Sequence, residues 1–238
     1  MRLFGVLFML LVGMSAQADP AVAVEENIRD GLGAIAPDME IDSLRESEIA
    51  GLYEVVLGAE VLYMSADGRY VMRGDMIDLR ARSNVTEDVR AENRRKILAS
   101  LDEADMIEFT ADKPEHFVYV FTDVDCGYCR KLHNDMAELG KRGVSVRYLA
   151  YPRAGIDSKT AKTMESIWCA DDRQNAMTRA KNGQSVKERS CNNPVAAQYK
   201  TGQQLGIRGT PAIYLEDGNA LPGYLPPHEL LSVLNGTP

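Results

Sequence analysis

Positive charge is in short supply along this chain. Lys and Arg number 27 against 35 Asp and Glu, so the formal net charge is −8 at pH 7. Nucleic-acid binding needs clustered cations to neutralise phosphate, and the acidic balance argues against that class. It favours solubility instead and names no substrate. Aromatic residues are also few, at 7% with a single tryptophan. After the first residues no segment is apolar enough to cross a bilayer as a helix, so the mature chain is expected not to insert into a membrane. There are only four cysteines and three histidines. The cysteines Cys126, Cys129, Cys169 and Cys191 all lie in the second half. Cys169 and Cys191 do not form a second close pair, and no His is suitably spaced with them. Both facts argue against a zinc site, and no metal or other cofactor is expected.

What is present suffices for one large domain or two small ones: 238 residues, of which 45% are hydrophobic. The start reads as an export signal. Met1 and Arg2 form a short basic head, Leu3 to Met14 is apolar, and Ala16-Gln17-Ala18 gives a small-x-small cleavage site. A signal peptide over 1–18 is therefore expected, with cleavage after Ala18; the alternative is an uncleaved anchor. Cleavage removes Arg2 and no acid, which would take the charge from −8 to −9. Export places the cysteines where disulfides form and persist, and an even number in one half suggests two pairs.

A first unit is expected over 19–79. Ile28, Leu32 and Ile35 share a helical face in Asn27 to Ile35. Leu52 to Leu57 and Val61 to Met64 read as strands, Asp67-Gly68 as a hairpin turn, and Tyr70 to Met72 and Met76 to Leu79 as continuations of the sheet. So short an α+β unit buries too little surface alone, and pairing with a second copy through a strand edge is one remedy. Thr86 to Ala104 is rich in charge, with Val89, Ile97 and Leu101 as a narrow apolar stripe. It reads as a connecting helix within 80–104, the alternative being an ordinary surface helix.

From Met106 the pattern changes, and a second unit is expected over 105–238. His116 to Phe121 is a short apolar run, as in a strand buried on both faces. Cys126 to Leu139 has helical spacing, and Val144 to Leu149 is a strand. Strand, helix, strand implies a parallel βαβ unit. A polar helical stretch fills Ser158 to Leu205. Ala212 to Leu215 and Ala220 to Leu225 suggest a hairpin about Asp217-Gly218, and His228 to Leu234 a closing helix.

The chemistry points to Cys126-Gly127-Tyr128-Cys129, where a buried strand ends and a helix begins. The first sulfur then sits at a helix N-terminus, whose free N–H groups and dipole favour thiolate. Cys129 is expected one turn in, more buried and less reactive, to attack a mixed disulfide and release the enzyme. An inert structural disulfide is the other reading. Thr210-Pro211 opens the strand at Ala212. A cis bond there would turn the Thr210 backbone toward the sulfurs, to pair with a substrate strand.

The segments FTDVDCGYCRKLH, VRYLAYPRAGIDS, IWCADD, QLGIRGTPAIYLEDG and LPGYLPP resemble the DsbC family of bacterial periplasmic thiol:disulfide interchange proteins. The likeness spans nearly the whole mature chain and is strongest from Phe117 onward. The resemblance implies an α+β, cystatin-like dimerisation domain at the N-terminus. A linker helix joins it to an α/β thioredoxin-fold domain with a helical insertion at about 156–205. It implies a V-shaped homodimer in the periplasm acting on misoxidised exported proteins, a membrane reductase of DsbD type as electron donor, and chaperone activity in the cleft. It also implies Cys126 as nucleophile, Cys129 as resolving thiol, Thr210–Pro211 as the cis-proline loop and Cys169–Cys191 as a structural disulfide. A second redox pair is the alternative for the last. Gly127, Tyr128, Thr210 and Pro211 are read as substrate-binding positions, with Tyr128 exposed and either tuning the redox potential or contacting substrate. The function expected is disulfide isomerase and reductase; a thiol oxidase and a holdase chaperone are the rivals.

Four residues carry narrower expectations. Asp125 departs from the family, where a neutral residue precedes the first cysteine; close to Cys126 it would raise that thiol's pKa, and facing solvent it would do little. Asp123 is read either as a proton relay for Cys129 or as a capping or solvated residue. His133 shares a helix face with Cys129 and is read as a surface or packing residue, with a catalytic role as the alternative. Trp168, beside Cys169, is expected to pack on the disulfide.

Overall fold

The computed structural model describes residues 20–37 and 40–236; the expected signal peptide and its cleavage site lie outside the described residues. The first unit opens with helix α1 (Pro20–Gly33) and strands β1 (Ser43–Glu46), β2 (Leu52–Leu57), β3 (Glu60–Ser65) and β4 (Val71–Met72). The four strands form one antiparallel sheet in the order β1-β2-β3-β4. Ile28 and Leu32 of α1 close over Val55, Leu57 and Met64. Ile35, expected on the same face, lies beyond the helix end and is exposed. The Asp67-Gly68 turn is present. Gly68 has φ +68°, and a Cβ there would meet the Asn27 carbonyl, so glycine answers both demands.

A short ribbon follows, β5 (Ile77–Asp78) with β6 (Ser83–Asn84), then helix α2 (Val85–Ala99), capped by the Asn84 side chain at the Glu87 N–H. The helix ends five residues before Ala104, and a 3-10 turn at Glu103–Asp105 takes its place. Its buried face is also not the expected one. Thr86, Ala91, Arg94 and Leu98 are buried, whereas Val89, Ile97 and Leu101 are half-buried. Arg94 donates through Nε to the Gly218 carbonyl at 2.7 Å, fastening α2 to the second unit. The β2–β3 turn meets the same region, with Ala59 N–H donating to Gln204 O at 3.0 Å.

The second unit contains β7 (Ile107–Phe109), β8 (His116–Thr122), α3 (Gly127–Asn134), α4 (Met136–Lys141) and β9 (Val144–Ala150). It continues with α5 (Lys159–Trp168), α6 (Arg173–Lys181), α7 (Val195–Gln204), β10 (Ala212–Tyr214), β11 (Ala220–Leu221) and α8 (Pro227–Leu234). The sheet order is β11-β10-β8-β9-β7. β8 and β9 are parallel, as the βαβ reading requires, and the other pairs are antiparallel.

Side chains of β8 alternate between two cores, as the period of a strand dictates. Val118 and Val120 join Leu132, Met164, Trp168 and Met177 on one face. Tyr119 and Phe121 join Leu98, Leu149, Tyr151 and Leu205 on the other. The expected single helix after Cys126 is interrupted at Asp135, whose carboxylate accepts from the Tyr224 hydroxyl at 2.7 Å. β11 stops at Leu221 because Pro222 has no N–H for the ladder. No helix among the described residues is long and apolar enough to cross a membrane.

Candidate active site

The site forms at the carboxyl ends of the parallel strands β8 and β9, where an α/β sheet opens a crevice. Cys126 occupies the N-cap position of α3 in extended backbone geometry, and its N–H donates to the Asp123 carbonyl at 3.2 Å. Cys129 lies one turn inside the helix. Both are free thiols. Cys129 is fully buried and Cys126 is 4% exposed, but Asp125, Gly127 and Tyr128 around the first sulfur are exposed. Cys126 is thus buried just beneath exposed neighbours, and Cys129 lies in the core.

Thr210–Pro211 is a cis peptide, and the loop lies over the cysteines. The Cys126 thiol donates to the Thr210 carbonyl oxygen at 3.0 Å. Tyr128, Thr210, Pro211, Leu221, Gly223 and Tyr224 line an open groove beside that contact. Tyr128 stacks on Tyr224 at 6.4 Å between centroids. The structure brings Tyr128, Thr210 and Pro211, all singled out in the sequence, together at this groove, with Tyr224, which was not. Gly127 begins α3, with open space where a Cβ would stand.

The two thiols are driven apart electrostatically. Burial pushes the Cys126 pKa up, but the Thr210 hydroxyl, the Cys129 backbone and thiol, and the charge of Arg153 outweigh it, so the net shift is downward. Burial dominates at Cys129 and its pKa is raised, despite Lys181, Thr122 and the Asp123 backbone, which favour its thiolate. The Thr210 hydroxyl is buried and makes no well-aligned hydrogen bond among the described residues, yet it favours the thiolate at both sulfurs.

Asp123 is buried, and its carboxylate accepts three N–H bonds. Asp125 N donates at 2.7 Å, Arg153 N at 2.9 Å and Arg153 Nε at 3.1 Å. These bonds tie the end of β8 to the loop after β9. Asp125 faces solvent, with its carboxylate accepting from Thr160 at 2.6 Å and from Arg130 at 3.3 Å. That arrangement removes the threat it posed to the Cys126 thiolate.

His133 is buried between the Tyr148 hydroxyl, 3.2 Å from Nδ1, and the Thr178 hydroxyl, 3.0 Å from Nε2. Burial and then the Lys181 charge lower its pKa to about 4, so it is a neutral packing group. Cys169 and Cys191 are joined in a disulfide, at the C-terminal cap of α5 and ahead of α7. Trp168 is buried in the main core, and its Nε1 donates to the Asp105 carbonyl at 2.7 Å. No group of three or more His, Cys, Asp or Glu among the described residues is placed to hold a metal ion.

Two charged neighbours escaped the sequence reading. Arg153 follows β9 with nothing in its local pattern to mark it. Lys181 left one faint signal, since it lies four residues after Met177 and so on the buried face of α6.

Residues 103–237 match a family described as the thioredoxin-like domain, and residues 15–87 match the disulfide bond isomerase protein N-terminal domain. Over 235 residues the chain is 38% identical to the thiol:disulfide interchange protein DsbC of Dickeya dadantii, covering 98% of this chain and 93% of that one. It is likewise 38% identical over 233 residues to the DsbC of Escherichia coli K12, covering 96% and 94%. A crystal structure of a disulfide interchange protein from Neisseria gonorrhoeae superposes with TM-score 0.52 at 27% identity, over 58% of this chain and 98% of that one.

Proposed function

This chain belongs to the DsbC family of thiol:disulfide interchange proteins, and from that premise we propose that it is a disulfide isomerase and reductase whose attacking atom is the Cys126 sulfur. The observation that carries the assignment is the placement of Cys126. It caps a helix N-terminus, faces the Thr210 carbonyl beside the cis-proline and has a lowered pKa, while Cys129 below it has a raised one.

The Cys126 thiolate attacks one sulfur of a wrong disulfide. A Cys126–substrate bond forms, and the other substrate sulfur leaves as a thiolate and takes a proton from water. In isomerisation a different substrate thiolate then attacks the substrate sulfur of the mixed disulfide and Cys126 leaves as thiolate. In reduction Cys129 loses its proton and attacks Cys126; the substrate sulfur departs and the enzyme is left with a Cys126–Cys129 disulfide. Thr210 offers the backbone edge along which an extended substrate segment lies, and the groove beside Tyr128 and Tyr224 takes its side chains.

The natural substrates are misoxidised exported proteins in the periplasm. The enzyme works as a homodimer through its N-terminal unit. That unit supports the reading with an exposed edge strand, β4 (Val71 and Met72), and with exposed Tyr70, Ile77 and Leu79 in the same stretch of chain. A membrane reductase of DsbD type returns Cys126 and Cys129 to thiols, since isomerisation needs a reduced resting enzyme in an oxidising compartment. The cleft between the two arms of the dimer also shelters unfolded chains.

Refolding of a scrambled multi-disulfide protein by wild type and by Cys126→Ala tests the assignment. Recovery should require Cys126; equal recovery with the variant would leave a holdase chaperone as the reading.

A further inference from the structure

Lys181 ends α6 and turns its side chain into the core, where the residue is 3% exposed. Its Nζ bonds to the Thr122 hydroxyl at 2.5 Å and to the Asp123 carbonyl at 3.0 Å, and lies 5.5 Å from the centre of the Tyr148 ring. Among the described residues it makes no ion pair, and the nearby Asp123 carboxylate is already engaged by Arg153. A buried amine without a carboxylate partner is costly, and such groups concentrate at functional sites.

Its charged and titratable surroundings are few. Cys126, Cys129, Arg130 and His133 face it from the start and body of α3, Asp123 from the end of β8, and Tyr148 from β9. His133 is neutral, as shown above. Tyr148 is fully buried and its pKa is raised well above the ordinary tyrosine value, so it is neutral too. Apart from Asp123, whose carboxylate is bonded to Arg153, the groups there able to take up negative charge are the two thiols. Thr122 bonds to Lys181 and is among the groups that favour the thiolate of Cys129.

We propose that Lys181, acting through Thr122, holds the proton that Cys129 must give up when it resolves the mixed disulfide. The inference rests on the disulfide-exchange reading and assigns the part of it that the sulfurs leave open. Cys129 is walled off from water, so its proton needs an internal destination. In the resolving step the Cys129 proton moves to the Thr122 oxygen while the Thr122 proton moves to the unprotonated Lys181 amine. The Cys129 thiolate attacks Cys126, their S–S bond forms, and the substrate sulfur leaves as a thiolate that takes a proton from water. The new ammonium then returns its proton to solvent. Burial lowers Lys181 to about 8, against the opposing pull of Cys129, Asp123 and Cys126, so part of it is unprotonated near neutral pH. The thiol and amine are expected to titrate as a pair.

A chromogenic aromatic disulfide separates the two steps in the full-length reduced enzyme. The first aromatic thiolate is released as Cys126 attacks, the second as Cys129 resolves. Removing a cation from a buried thiolate raises its pKa by about 1–3 units, and the gain in nucleophilicity offsets about half of the lost thiolate fraction, so resolution should slow about 3- to 30-fold. Lys181→Met should slow the second phase by this amount at pH 7, move its pH midpoint upward and shift the Cys126–Cys129 couple toward more reducing potentials. Thr122→Val should slow the same phase. Lys181→Met should also unfold at no lower urea concentration than wild type, because it removes a buried charge. A second phase with unchanged rate and pH midpoint in both variants, with the first phase intact, would overturn the role of Lys181 and leave Cys126 as nucleophile. Absence of the first phase in wild type would overturn the exchange reading and the Lys181 proposal with it.

Discussion

The Cys126 sulfur lies 3.0 Å from the carbonyl oxygen of Thr210, a residue 84 positions away along the chain. The contact joins the start of α3 to the loop that opens β10, and it sets the two sides of the reactive edge. One side holds the Cys126 sulfur at a helix N-terminus, the atom proposed to attack. The other supplies a backbone edge beside a cis-proline and a groove lined by tyrosines. On the proposed exchange reading a substrate segment reaches the sulfur along this backbone edge, because Cys126 itself is only 4% exposed.

Arg153 should tune this sulfur. Its guanidinium favours the Cys126 thiolate and its backbone and side chain hold Asp123. Arg153→Met should raise the Cys126 pKa and slow its alkylation at pH 7 by about 2- to 5-fold, less at high salt because the side chain is half-exposed and screened. Asp125→Asn should change the same rate by less than about 2-fold, since that carboxylate faces solvent and Arg130. A large acceleration in Asp125→Asn would show that the carboxylate bears on the sulfur after all.

The disulfide between Cys169 and Cys191 closes a loop of 22 positions. On the chain-entropy account such a link contributes about 3 kcal/mol. Replacing both cysteines by serine should lower urea stability by about that amount and leave the alkylation rate of Cys126 unchanged in the folded variant. Loss of exchange activity without loss of stability would make the pair a second redox centre.

How far the sequence revealed this site depended on the kind of residue. Cys126 and Cys129 were legible because their spacing and the strand-to-helix junction are local, and Thr210-Pro211 because it opens a strand. The parallel β8–β9 pair followed from the order of elements. Lys181 and Arg153 were not legible, because a polar residue far along the chain reaches the sulfurs only through tertiary packing. α2 misled for a related reason. Its buried face includes Thr86 and Arg94, polar residues that masked the stripe completed by Ala91 and Leu98. Asp135, where the helix breaks, is bonded to Tyr224, 89 positions away, and no local pattern announces that contact.

His133 should impose an acid sensitivity on the fold. Its folded pKa is depressed to about 4 from an unfolded value near 6.5. The folded state therefore binds fewer protons than the unfolded chain, and the stability tied to the neutral ring is present above about pH 6.5 and lost as pH falls toward 4. The full difference is about 3 kcal/mol. Urea unfolding of wild type across that window should show a slope that His133→Gln flattens. An unchanged slope would mean that His133 ionises freely in the folded protein.

The most direct test of the central claim is the pH dependence of alkylation at Cys126, measured in Cys129→Ala so that a single reactive thiol is followed. Reaction with a midpoint below the ordinary cysteine range, near 8.5, is the result the geometry predicts. A midpoint at or above that of free cysteine, or a sulfur that fails to react in the folded protein, would contradict it.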